Sequence, residues 1–227
     1  MIQFRSWLGF FALWIVCLPE WASAEVVRQG NLTFDLPGIP GFCTLDREHA
    51  VDRLFFEQQE RVQAQNNLVL SIIVPCPELD ALHQGATELS SWALWLLNAP
   101  NGVPARIPPG IAREQLFDRL AKTMPKVDLA GLNSRLQERF DKEGVEANVN
   151  RFGVIEQDQN ALYLGLLGES AALGIKAEVA GVVGMTSLGS SIVSVNLYRL
   201  HSGQPIFDDQ LRIVRDVMKI LIAQNAG

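Results

Sequence analysis

From residue 145 onward the chain reads VEANVNRFGVIEQ (145–157), ALYLGLLGES (161–170), LGIKAEVAGVVGMTSL (173–188) and SSIVSVNLYRL (190–200). The apolar residues recur with a period of two, which is strand patterning rather than helix patterning. Asp158-Gln159-Asn160 and Leu188-Gly189-Ser190 carry the residue types that turn a chain. Strands this close in sequence usually pair with their neighbours, so four successive antiparallel strands are expected. The pattern then changes. Over residues 208–224, Leu211, Val214, Val217, Met218, Leu221 and Ile222 share one helical face, against Arg212, Arg215, Asp216 and Lys219. Asp208 fits the N-cap of this helix.

The first half of the chain completes the class. Leu32, Phe34 and Leu36 alternate in NLTFDL (31–36), a strand. GIPGFCTLD (38–46) follows as a turn, and Asp46 is the expected N-cap of a helix that buries Val51, Leu54, Phe55 and Val62. LVLSIIV (68–74) is a continuous β-branched run and reads as a buried strand, ended by Pro75-Cys76-Pro77. A polar stretch with Glu78, Asp80 and His83 suits a short helix. SSWALWLLN (90–98) fits a strand, with a buried helix as the alternative. APNGVPARIPPG (99–110), with four prolines and two glycines, is a loop long enough to carry function. Two amphipathic helices should follow, one on Ile111, Leu116, Phe117 and Leu120, the other from Asp128 on Leu129, Leu132, Leu136 and Phe140. The sum is an α+β protein: a mainly antiparallel sheet with flanking helices and a C-terminal amphipathic helix.

Residues 1–24 read as an export signal. Arg5 precedes an apolar run of 12 residues (7–18), Pro19 breaks it, and Ala22-Ser23-Ala24 offers small residues for cleavage. A membrane-spanning helix needs about 20 apolar residues, so no stable membrane anchor is expected after cleavage. The remaining 227 − 24 = 203 residues suit a single α+β domain over 25–227. The net charge of −6 and the lack of a basic stripe argue against nucleic acid as a partner, because that affinity comes from lysines and arginines on phosphates. The destination implied is the periplasm or the exterior.

Export also bears on the cysteines. Cys17 leaves with the signal, and the pair that stays, Cys43 and Cys76, would meet an oxidising compartment. A disulfide closing about 33 residues is expected. Cys43, His49, Cys76 and His83 would satisfy a zinc site by residue type, but their spacing is unlike the tight C-x₂₋₄-C pattern. A catalytic thiol at Cys43, with His49 as its cation, competes with the same disulfide. No metal and no cofactor is therefore expected.

Other chemistries lack their usual patterns. There is no G-x-S-x-G, Walker A loop, G-x-G-x-x-G, H-E-x-x-H or EF-hand loop. His201 with Ser202 sits in an apparent turn, unsupported as a triad. Glu169 and Glu178 suit the solvent side of a strand better than a catalytic carboxylate. Trp92 and Trp95, beside the 99–110 loop with Arg106, are the binding residues singled out.

Phe34-Asp35-Leu36-Pro37 at the opening strand and the order of elements resemble the Mog1/PsbP-like architecture. That resemblance implies a terminal helix packed on a sheet and a non-catalytic role as an assembly or interaction factor; it carries no site residue across. The function expected is that of an exported protein acting by binding or assembly, with a protein partner in the envelope. A hydrolase with an unfamiliar site and a small-ligand carrier are the alternatives.

Overall fold

A computed structural model describes residues 25–123, 130, 133, 134, 137, 145–172, 175–201 and 207–226. The signal reading at 1–24, Ser202 and most of the helix expected from Asp128 lie outside these residues. A hairpin of β1 (Glu25–Gln29) and β2 (Leu32–Leu36) comes first, then β3 (Phe42–Thr44), α1 (Ala50–Gln63) and β4 (Asn67–Pro75). Next are α2 (Cys76–His83), β5 (Ser91–Asn98) and α3 (Arg113–Thr123). The chain continues through β6 (Val145–Gln157), β7 (Leu162–Ala172), β8 (Ile175–Leu188) and β9 (Ser191–His201) to α4 (Phe207–Gln224).

Seven strands make one antiparallel sheet in the order β3-β4-β5-β9-β8-β7-β6. The last four strands pair consecutively, as their period and turns require. The β6–β7 turn closes because the Asp158 carboxylate accepts the backbone N–H groups of Asn160 and Ala161 at 2.7 and 2.8 Å. Gly189 takes a positive φ of 55° in the β8–β9 turn, a conformation that glycine adopts without strain.

The sheet divides the core into two sides, and strand alternation decides which residue goes where. On one side, Trp95 and Leu97 of β5, Val182 of β8 and Val193, Val195 and Leu197 of β9 pack under α4 and the β1–β2 hairpin. Val214, Val217, Met218 and Leu221 of α4 are buried there, the stripe expected from the sequence. Gly184 lets α4 approach: a Cβ at that position would lie 2.6 Å from Val214 Cγ1. The Asn225 side chain then ties the chain's end to β2, accepting from the Asp35 N–H and donating to its carbonyl. On the other side, α1 and α2 cover β4 and β5 through Phe56, Leu79, Ile72, Leu94 and Leu96. Phe117 of α3 packs separately on Leu162, Leu164 and Val183.

Several local expectations change. Cys43 is not in the turn but on β3, opposite Val74. Asp46 does not cap α1; it accepts the Glu48 N–H within a turn, and His49 occupies the cap position. The buried stripe of α1 is Asp52, Phe56 and Val62, with Leu54 64% exposed. Asp208 lies inside the first turn of α4 rather than before it. Residues 91–98 form a strand. Among the described residues no helix is long and apolar enough to cross a membrane.

Candidate functional site

The α1–α2 side of the sheet gathers most of the chain's unusual chemistry, and a disulfide frames it. Phe42, Cys43 and Thr44 pair with Pro75, Val74 and Ile73, so β3 runs beside the end of β4. The chain then turns directly into α2, whose first residue is Cys76. Cys43 and Cys76 are therefore neighbours, with Cα atoms 4.8 Å apart, and they are bonded. The Cys76 N–H also donates to the Gly41 carbonyl at 3.0 Å. The base of α2 is thus held to the sheet edge covalently and by a backbone hydrogen bond. The bond leaves neither thiol available as nucleophile or ligand.

His83 ends α2 and meets the start of α1. Its Nε2 lies 2.7 Å from Oδ1 of Asp52, and Nδ1 of His49 lies 3.4 Å from the same oxygen. The two imidazole rings lie against each other, 3.8 Å between centroids and tilted by 37°. Asp52 is 1% exposed, and its other oxygen accepts the Asp46 N–H at 2.9 Å. That second contact fixes the carboxylate's rotation. Asp52 occupies the third position of α1, where the helix dipole favours negative charge. His49 Nδ1 is buried and makes no hydrogen bond. The sequence brought His49 and His83 to notice as partners of the cysteines. The structure joins them instead to an aspartate hidden in the buried face of α1.

Phe55 and Gln59 lie one and two turns further along α1, and with them begins an open apolar cleft. Its volume is about 240 Å³, and Ile72, Thr87, Leu89 and Trp92 complete its lining. The connection after α2 holds its shape because the Glu78 carboxylate accepts both the N–H and the hydroxyl of Ser90. Trp92 is half-buried and stacks on its cross-strand neighbour Tyr198, with centroids 5.4 Å apart and an interplanar angle of 27°. Such pairs contribute about 0.5–1.5 kcal/mol beyond the area they bury. Burial raises the Tyr198 hydroxyl's pKa, outweighing the opposing hydrogen bond from Asn196, so the ring beneath Trp92 stays a neutral phenol.

The residues singled out from sequence do not form one site. Trp92 is on the cleft. Trp95 is three residues on in the same strand, hence on the opposite side of the sheet, and 1% exposed in the core. Burial removes it from any binding surface. Arg106 is exposed on the 99–110 loop, which departs from the far end of β5. Six residues of strand separate that end from Trp92, about 20 Å. The loop itself is stitched down: Ala105 N–H donates to Asn98, Asn101 N–H to Gln65 and Ile107 N–H to Ser190.

His201 is the last residue of β9, not part of a turn, and faces Glu178 at 3.6 Å across the strand pair. Glu169 and Glu178 are exposed and directly opposite each other on β7 and β8. A larger groove of about 550 Å³ runs between β1 and α1, but its Arg47 is already engaged by Glu60, the Val69 carbonyl and the Phe56 ring. Neither a protein-family model nor a curated protein matches the chain in sequence.

Proposed function

We propose that the protein works outside the cytoplasm, in the periplasm or secreted, as a non-catalytic binding or assembly factor that seats an apolar side chain of a protein partner in the cleft at Trp92. The observation that carries this reading is the cleft itself: an apolar recess with Phe55 and Trp92 in its lining, on the side of the sheet that the disulfide braces. Its volume of about 240 Å³ is smaller than most small-molecule pockets, which span about 300–1,000 Å³. One or two side chains of a docking segment fill such a recess, and a partly exposed tryptophan is the residue type that anchors interfaces. The Cys43–Cys76 bond is in keeping with an oxidising destination. The Mog1/PsbP-like resemblance, with its non-catalytic roles, belongs to the same proposal.

Filling the cleft tests it. Thr87 is exposed at the rim, so Thr87→Trp can occupy the recess without disturbing the core. The wild-type chain and the variant are each used to capture envelope proteins from the native host. The expected result is one partner retained by the wild type and lost at least tenfold by the variant, with unchanged thermal unfolding. Equal retention by both chains contradicts the cleft as the docking site.

A further inference from the structure

We infer that His49, Asp52 and His83 form a binding site for a divalent transition-metal ion of the zinc class, a property beyond the cleft reading and independent of it. Three ligand atoms from two helices lie within 4.8 Å of one another. A tetrahedral ion with bonds of about 2.0–2.1 Å holds its ligand atoms about 3.3 Å apart. His49 Nδ1 and Asp52 Oδ1 are already at 3.4 Å. His83 Nε2, at 2.7 Å from the same oxygen, needs to withdraw by about 0.6 Å, and the two ring nitrogens, up to 4.8 Å apart, need to close by up to about 1.5 Å for that spacing.

The cluster exceeds what a helix start requires. The Asp46 N–H and the dipole of α1 already use the Asp52 carboxylate at the cap. One histidine would satisfy its remaining oxygen. A second imidazole lies against the first, tilted by 37°, and His49 Nδ1 is buried with no hydrogen-bond partner. A buried ring nitrogen without a partner costs free energy, and a bound cation removes that cost. Two imidazoles and a carboxylate suit zinc, nickel or copper, whereas calcium and magnesium take more oxygen ligands.

The ligands are also held in position by their neighbours. The Asp46 N–H orients the carboxylate, and the disulfide moors the helix that carries His83. The His49 and His83 side chains are 40% and 32% exposed, so the ion has a path from solvent and a coordination position that no residue of the trio fills.

Untagged protein, stripped with chelator, is titrated with Zn²⁺ by calorimetry. The expected result is one ion per chain, with His49→Ala and His83→Ala each weakening binding at least tenfold. In parallel, ¹⁵N-edited spectra of the wild-type rings should show His49 Nδ1 and His83 Nε2 moving on addition of Zn²⁺ while His201 stays unchanged. This second measurement stands even where a variant folds poorly. The inference is overturned if those two nitrogens do not respond to Zn²⁺, or if both folded variants bind the ion as tightly as the wild type.

Discussion

Replacing Cys43 and Cys76 together with alanine is expected to lower the unfolding free energy by about 3–4 kcal/mol. The bridge closes 33 residues, for which the loss of chain entropy in the unfolded state amounts to about 3.7 kcal/mol. The native side of the equilibrium points the same way. β3 is only three residues long at the edge of the sheet, and α2 starts at the bridge itself. Without the bond, β3 and the first turn of α2 keep only short backbone pairings, so their amides should exchange with solvent well before those of β5 or β9. Urea unfolding of the double variant and of the oxidised wild type checks the energy. A difference below about 1 kcal/mol contradicts the role given to the bridge.

Trp95→Ala is expected to cost about 3–5 kcal/mol, the range for removing a large aromatic side chain from a packed core. Trp95 is among the largest fully buried side chains, and α4, the β1–β2 hairpin and β9 all close around its side of the sheet. These elements are held by separate strands and cannot collapse together into the space left. Trp92→Ala removes a half-buried ring that contributes mainly its stack on Tyr198, so its cost should be clearly smaller. The two tryptophans thus give losses of different size from chemically identical substitutions. A Trp95→Ala loss no larger than that of Trp92→Ala, measured by the same urea unfolding, contradicts the placement of the two faces.

The parts of the fold legible in the sequence are those where a local pattern and a local turn agree. The β6–β9 meander has period-two strands punctuated by Asp158, whose carboxylate closes its turn, and Gly189, whose lack of a Cβ permits a positive φ. The face of α4 is fixed by six apolar residues at helical spacing. The disulfide is the pairing that two cysteines and an expected oxidising destination imply, and β3 beside the end of β4 supplies the geometry.

Contacts distant in sequence explain the rest. Within α1 the apolar stripe suggested Leu54 as core, yet the helix turns Asp52 inward because the carboxylate meets His83, 31 residues away. A burial pattern read from hydrophobicity places an aspartate outside by default. The spacing of Trp92 and Trp95 did hold usable information: three residues apart in a strand means opposite faces, so only one of them could line a surface. Asp46 resembles a helix cap by residue type, but His49 takes that position because the turn at 46–49 comes first.

Site-specific photo-crosslinking in the native host tests the cleft most directly. A photoreactive residue replaces Gln59 on the wall of the cleft, and in a second chain replaces Arg106 on the loop at the far end of β5. The expected result is a discrete adduct with one envelope protein from position 59, abolished by Thr87→Trp, and no such adduct from position 106. An adduct with the same protein from position 106 but not from 59, or no adduct from 59 in an extracytoplasmic chain that is folded and oxidised, would contradict it.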